Sequence, residues 1–424
     1  MTATTTDPQS TSLDTAGDGD EKPFRPVPFA DANQQFLVGE TIYLRALEPG
    51  DGKHPTVWRD ARFPVNADKA EELIKKDLDS KERYRTVRLL ACRRVDDRPV
   101  GVATYSTWNW CDGEASVYAD PAFGDAAHAY QAEMLGLIVP WLLDERDLMA
   151  VWVSIPGNDR VLVEAAGAIE MHQAACLREA LWVNGHREDQ LTFEGLNRGW
   201  QAKLGTPEPG ITVAGAPDDP RRRFEGAPSA IFRQPAGDPP KDAVMVGDRV
   251  YLRAYTDEDA RRESTWNRQE TETFFDNGRA MWSAHELTRW NRGHMDEDPA
   301  EWVRFAIVLK ESGEFIGSNG IADIDWVHKT AETESFIPNL AYRGGGYGSE
   351  AKHLLLAYSF ERIGLHAVRS FVWGPNTRSQ AALRKQGYRD AGRFNWTGRK
   401  NAEWTHDMNF DLLASEWRER VGGR

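Results

Sequence analysis

The run Tyr342-Arg343-Gly344-Gly345-Gly346-Tyr347-Gly348-Ser349-Glu350-Ala351 has the composition of an anion cradle. Glycines let backbone amides approach an anion closely and take conformations closed to other residues. The stretch that follows, Ser349 to Ile363, carries apolar residues at 351, 354, 355, 358 and 363, which is helical spacing. The first amides of such a helix are unpaired and lie at the positive end of its dipole. Loop and helix together suit a pyrophosphate without needing a lysine or a metal. A glycine-rich strand-to-helix turn used only for tight packing has the same composition. The run is neither a Walker loop, since it lacks Gly-Lys-Ser/Thr, nor a dinucleotide fingerprint, since the element spacing is wrong.

Ahead of the loop, Thr333–Ile337 reads as a strand, and strict alternation puts 332, 334 and 336 on one face. Glu332 and Glu334 therefore stand side by side, with Asp323 and Asp325 on the preceding strand. Around these residues the pattern predicts a hairpin of Ile307–Leu309 with Phe315–Ile324 across Glu311-Ser312-Gly313. A strand over Ala367–Trp373, a helix over Thr377–Gln386 and strands over Tyr388–Phe394 and Thr405–Leu412 follow. Mixed order with one crossover helix argues for an α/β sandwich rather than a barrel.

The chain also repeats itself. Val38-Gly39-Glu40-Thr41-Ile42-Tyr43-Leu44-Arg45-Ala46 recurs as Val246-Gly247-Asp248-Arg249-Val250-Tyr251-Leu252-Arg253-Ala254. Arg98-Pro99-Val100-Gly101 answers Glu314-Phe315-Ile316-Gly317, and Met149–Ser154 answers His366–Phe371. Two domains are the expectation, at 37–205 and 246–424. Residues 1–36 read as a disordered leader with no basic start and no apolar run. Residues 206–245 are dense in proline and read as an extended connector. It holds Arg221-Arg222-Arg223, read as solvated surface, and an apolar patch at Ala230-Ile231-Phe232.

Composition narrows the classes. Of 424 residues, 40% are apolar and 28% charged, and no run is long and apolar enough to span a membrane. Three widely spaced cysteines suit a reducing cytoplasm and argue against a disulfide framework or a metal site. A formal charge of −14 disfavours nucleic acid and leans toward amine-bearing partners.

Residues Ala331 to Glu416 resemble the GCN5-related N-acetyltransferase (GNAT) superfamily, closest to the branch of ribosomal-protein-alanine and spermidine acetyltransferases. The coenzyme A loop of that superfamily, Arg/Gln-x-x-Gly-x-Gly/Ala, is met by Arg343, Gly346 and Gly348. Glu350-Ala351, Leu354-Leu355-Leu356, Gly364–Val368, Asn376–Ser379, Gly387-Tyr388 and Trp417 follow in register. The resemblance implies two tandem α/β (α+β) folds, each a mixed, mostly antiparallel twisted sheet flanked by helices. It implies acetyl-coenzyme A, or another short acyl-coenzyme A, as co-substrate with no metal. Leu340, Ala341 and Tyr342 would receive the pantetheine arm, amides around Tyr347 to Ser349 the pyrophosphate, and Asn376 the arm again, with Arg343, Gly344, Gly345, Gly346 and Gly348 completing the cofactor-binding loop. Asparagine at that place also suits a helix cap.

In such enzymes an amine attacks the thioester directly and must first lose a proton, since an alkyl ammonium has a pKa near ~10.4. Glu332, Glu334, Asp323 and Asp325 are the candidate bases, or recognise the ammonium. A tyrosine often protonates the departing thiolate seven residues after the asparagine. Here that residue is Leu383, with Ser379 and Tyr388 as possible substitutes. The acceptor is expected to be a small-molecule amine in an aromatic-rich pocket, with Trp108, Trp110 and Trp152 candidates for its wall. A protein amino terminus or a non-catalytic acyl-coenzyme A sensor are the alternatives. Opposite the glycine loop the first copy has Phe123-Gly124-Asp125-Ala126-Ala127-His128-Ala129-Tyr130-Gln131. It keeps one glycine and adds a repelling aspartate, so this copy is expected to bind no coenzyme A and to serve as structure. Two fused copies would mimic a dimer within a monomer.

Overall fold

The computed structural model describes residues 35–58, 65–79, 86–107, 111–208, 238–267, 283–295, 299–400 and 403–422. The leader up to Gln34, Trp108, Trp110, the arginine cluster and the patch at 230–232 lie outside these residues.

Strands of the first half are β1 (Leu37–Val38), β2 (Ile42–Ala46), β3 (Thr86–Arg93), β4 (Pro99–Thr107), β5 (Asp112–Ala119), β6 (Ala150–Pro156), β7 (His172–Val183) and β8 (His186–Leu196). Those of the second are β9 (Ala243–Val246), β10 (Val250–Ala254), β11 (Val303–Leu309), β12 (Phe315–Asp325), β13 (Thr330–Phe336), β14 (Ala367–Trp373), β15 (Arg389–Lys400) and β16 (Glu403–Leu413). The helices are α1 (Ala67–Asp79), α2 (Asp125–Asp144), α3 (Arg160–Ala168), α4 (Arg198–Leu204), α5 (Asp257–Asn267), α6 (Ala284–Met295), α7 (Tyr347–Ala357), α8 (Thr377–Gln386) and α9 (Ala414–Gly422). β9 begins at Ala243, inside the stretch expected to be connector. Its Ala-Val-Met-Val sequence buries Met245 and pairs antiparallel with β10.

The sixteen strands of the described residues form one sheet, in the order β1-β2-β3-β4-β5-β6-β8-β7-β15-β16-β14-β13-β12-β11-β10-β9. Read from either edge inward the two halves have the same order. Each contains one parallel pairing, β5 with β6 and β13 with β14, and the remaining pairings are antiparallel. Each half wraps a core round its crossover helix: Met134, Leu135, Ile138 and Leu142 of α2, and Ala351, Leu354, Leu355 and Leu356 of α7. Among the described residues no helix is long and apolar enough to cross a membrane.

The repeated Val-Gly-acidic motif has a mechanical cause. Glu133 of α2 accepts the Thr41 N–H at 2.8 Å, and Glu350 of α7 accepts the Arg249 and Val250 N–H groups at 2.7 and 3.1 Å. A Cβ on Gly39 would lie 2.1 Å from Glu133 Oε1, and one on Gly247 2.5 Å from Glu350 Oε1. A side chain at either glycine would push the clamping carboxylate out of place. The same carboxylate clamp ties the crossover helix to the first hairpin in both halves.

The halves meet between β7 and β15 at Ala175–Gly392, where a Cβ on Gly392 would come 2.3 Å from the Ala174 carbonyl oxygen. On either side of this pair the contacts are reciprocal. Asp411 of the second half accepts the Arg178 backbone N–H at 3.0 Å and its Nη2 at 2.8 Å. Glu194 of the first accepts the Asn395 backbone N–H and its Nδ2, both at 2.7 Å. Arg389 adds a bond to Asp411 at 2.6 Å, and Trp152 stacks on Phe394 with centroids 5.2 Å apart.

Candidate active site

β13 and β14 pair in parallel only through Thr330–Ala367, Ala331–Val368 and Glu332–Arg369, whereas β14 stays paired with β16 as far as Trp373. The two strands part beyond Glu332. Two hydroxyls bridge the start of the gap: Ser370 Oγ donates to the Thr333 carbonyl at 3.0 Å, and Thr333 Oγ1 shares a proton with Tyr388 Oη at 2.8 Å. Past that point the wedge exposes strand backbone without a ladder partner, a place for an extended ligand arm and for an amide that meets a developing oxyanion.

The glycine run follows β13 directly. Leu340–Tyr342 form a 3₁₀ turn capped by Asn339, whose side chain accepts the Ala341 N–H at 3.0 Å. The Leu340 carbonyl accepts the Arg343 N–H at 3.1 Å. Gly344 and Gly346 have φ of 82° and 84°, the left-handed region that other residues enter at a cost, and Gly346 is the N-cap of α7. The amides of Tyr347, Gly348 and Ser349 open the helix, so this end is built to receive an anion. Arg343 Nε donates to the Ile337 carbonyl at 2.7 Å, fixing the loop to the end of β13. A cation not anticipated from the sequence stands beside the loop. Arg249 Nη1 donates to the Gly345 carbonyl at 2.8 Å, and its guanidinium lies 4.8 Å from the centre of the Tyr347 ring. Only its place in the repeated motif, where the first half has Thr41, marks it in the sequence.

Four carboxylates and three cations gather near the parting of the strands. Glu332 and Glu334 lie on β13, half-buried, and protein surrounds both so closely that desolvation dominates. Burial raises Glu332 to about 7, Arg369 opposing it, and burial also pushes Glu334 up against the pull of Arg304. Arg369 is held by Asp323, with Nη2 3.2 Å from Oδ2. Arg304 Nη2 donates to Glu263 Oε1 at 2.8 Å and to Ser318 Oγ at 3.0 Å. Its guanidinium sits 4.5 Å from the Tyr255 ring centre and 5.3 Å from that of Trp290, which meets Trp302 edge to face at 4.7 Å. The third cation is Lys352 of α7, only 6% exposed. Burial lowers its pKa to about 7, with Glu334 and then Glu332 opposing. Sequence spacing did not single out Lys352, since it stands among core positions of an amphipathic helix. Its charge at such a position was the one available signal.

Asn376 caps α8, its side chain accepting the Ser379 N–H at 3.2 Å, at the mouth of the same wedge. Ser379 is half-buried on that first turn. Leu383 and Tyr388 are core residues, and burial drives the Tyr388 phenol far above its ordinary range. Asp325 turns away from the wedge, accepting the Val327 and His328 N–H groups at 2.9 and 2.8 Å. Among the described residues no group of three or more His, Cys, Asp or Glu is arranged to hold a metal.

The first half differs at the same place. Glu133 and Glu350 are equivalent by their clamp, yet Glu133 is the ninth residue of α2 and Glu350 the fourth of α7. The chain that forms the glycine loop in one half is thus helix in the other, with Asp125 in its first turn. Glu114 pairs with Trp152 as Glu332 pairs with Arg369, and the cation that opposes the burial of Glu114 is again Arg369, reaching it from the second half.

Residues 249–389 match the family of the acetyltransferase (GNAT) domain. Among solved structures the chain is similar to a spermidine N-acetyltransferase chimera from Vibrio cholerae, at 20% identity and a TM-score of 0.37, covering 40% of this chain and 98% of that one. It is similar also to spermidine N-acetyltransferase from Vibrio cholerae in complex with CoA and spermine, at 20% identity and a TM-score of 0.35, covering 40% and 98%. A protein described as a ribosomal-protein-serine acetyltransferase from the same organism aligns at 22% identity and a TM-score of 0.34, covering 40% and 96%. Residues 249–389 thus carry an acetyltransferase (GNAT) domain.

Proposed function

We propose that the second half transfers a short acyl group, acetyl by preference, from coenzyme A to the primary amine of a small molecule. The observation that carries this reading is Glu332: a carboxylate at the point where β13 leaves β14, desolvated to about 7, beside an open glycine loop. The amides at the start of α7 hold the pyrophosphate, with Arg249 neighbouring, and the pantetheine arm runs into the wedge toward Asn376. Glu332 takes a proton from the acceptor ammonium, for which a base near neutrality is well matched. The free amine attacks the thioester carbonyl, and a backbone amide of the parted β13 steadies the oxyanion. Glu334 and the aromatic surround of Tyr255, Trp290 and Trp302 favour a compact acceptor over a protein terminus.

The first half repeats the fold without the loop. Its role is to complete in one chain the interface that two subunits would otherwise form, so the protein is a monomeric pseudo-dimer that works in the cytoplasm. The test is calorimetric titration of acetyl-coenzyme A, followed by thiol release on a panel of small amines and amino-terminal peptides. Binding with turnover of a small amine supports the reading. Turnover of peptides alone moves the acceptor to proteins, and binding without turnover makes the domain a sensor.

A further inference from the structure

The Glu332 face of the sheet has two flanks. On one, the rings of Tyr255 and Trp290 are taken up by the Arg304 guanidinium, 4.5 and 5.3 Å from their centres. On the other, a row of aromatic rings runs into the first half. Val368 and Val372 of β14 lie in the core, so alternation turns Arg369 and Phe371 to the opposite face. Glu332 shares that face, because its neighbour Ala331 is core. Phe371 is the first residue of β14 on this face beyond the last rung with β13, and it borders the wedge. Its ring centre lies 5.7 Å from the Arg369 guanidinium and 6.3 Å from the ring centre of Phe394 on β15. Phe394 in turn stacks on Trp152 of β6 at 5.2 Å. Val151 and Val153 are core residues of the first half, so Trp152 stands on its outer face. Its indole is locked: Nε1 donates to Glu194 Oε1 at 2.9 Å, the oxygen that takes the Asn395 N–H from the second half. Trp152, Phe371 and Phe394 are each only half-buried, so a fixed aromatic surface stays open beside the wedge. Arg369, at the Glu332 end of the row, is already matched by acids. Glu332 neighbours it on β13, Asp323 Oδ2 lies 3.2 Å from its Nη2, and it also offsets the burial of Glu114.

We propose that the first half supplies Trp152 to the acceptor site of the second, and that the acceptor is an arylalkylamine: a primary amine on a chain of several carbons ending in an aromatic ring, with no carboxylate. The inference rests on the transfer reading. The ammonium sits at Glu332, where acids prevail and a carboxylate would be repelled. The chain lies along Phe371, and the ring meets Phe394 and Trp152. Stacking and the burial of apolar surface there favour a ring over a bare alkyl end. Trp152 is a specificity-determining residue, since it touches the body of the acceptor and none of the reacting atoms. Without the first half the row would end at Phe394.

The experiment measures kcat/KM with acetyl-coenzyme A for butylamine and for phenylbutylamine, the same chain with a ring on its end. Full-length wild type is compared with Trp152→Leu and Trp152→Phe. Wild type should prefer phenylbutylamine by roughly 10-fold or more, with most of the difference in KM. Trp152→Leu keeps apolar bulk against Phe394 but removes the ring, and should cut that preference by about 5-fold or more, whereas Trp152→Phe should keep most of it. A loss shared equally by both amines leaves the preference unchanged, marks Trp152 as interface packing and overturns the proposal. So does a wild type with no preference for the ring. A carboxylate added to the carbon that bears the amine should cost at least about 10-fold in kcat/KM, and no cost overturns the acceptor class. Should the leucine variant fail to fold, Trp152→Met is read by the same ratio, since methionine adapts to fill the space. Absence of turnover on every amine, by wild type that binds acetyl-coenzyme A, overturns the transfer reading and this inference with it. That result is distinct from turnover without ring preference, which overturns this inference alone.

Discussion

The two halves share a strand order, a helix clamp and reciprocal interface contacts, and they differ where α2 and α7 begin. In the second half the chain approaches the helix through left-handed glycines, leaving amides free at its end. In the first, the corresponding residues have joined the helix, and their amides are spent inside it. A fold thus keeps its core while losing a ligand site through a change confined to a turn and a half of chain. The core depends on apolar residues deeper in the helix, and the site depends on residues that must not be helical.

That contrast can be broken or sharpened by experiment. The largest expected effect is on catalysis. Glu332→Gln should lower kcat by about 10²–10³-fold, while Glu114→Gln, its counterpart, should stay within about 2-fold. Steady-state kinetics decide, and equal losses would mean that both halves serve the site. The wild-type kcat/KM should rise with pH through about 7, as the Glu332 carboxyl loses the proton that burial favours, and Glu332→Gln should lose that limb. Next comes stability. Asp411 accepts from Arg178 and Arg389 in the interface, so Asp411→Ala leaves Arg178 with Glu416 alone and Arg389 with the Cys176 carbonyl, and should cost about 3 kcal/mol by chemical denaturation. The reciprocal Glu194→Ala releases an asparagine instead and should cost less, about 1–3 kcal/mol. Last is affinity. Gly346→Trp should weaken acetyl-coenzyme A by at least about 10-fold in calorimetry, whereas Gly124→Trp in the first half should leave it unchanged, with no Cβ neighbour within 4 Å at Gly124.

Much of the local structure was readable because it follows from short-range rules. The strand at Ala367–Trp373 and the helix at Thr377–Gln386 lie where alternation and helical spacing put them. The helix expected over Ser349–Ile363 starts two residues earlier, and from Tyr358 to Arg362 its turns widen into a π-helix, with Ser359 Oγ bonded to the Leu355 carbonyl. Hydrophobic period registers a helix but is blind to such a change of hydrogen-bond partner. Arg304 and Glu263, or Arg178 and Asp411, could not be paired beforehand, because residues 41 and 233 positions apart meet only through the sheet.

By itself the sequence determined that a nine-residue motif recurs from Val38 at Val246, that a glycine run at Gly344 to Gly348 precedes helical spacing, and that Glu332 and Glu334 share a strand face. These are consequences of backbone stereochemistry and periodicity, which act over a few residues. Only the tertiary structure decided that β13 and β14 part after Glu332, that the first half's loop has become helix, and that Lys352 is buried. Each depends on desolvation and on strand pairing between distant segments, and the free energy of a buried charge is set by what surrounds it in space.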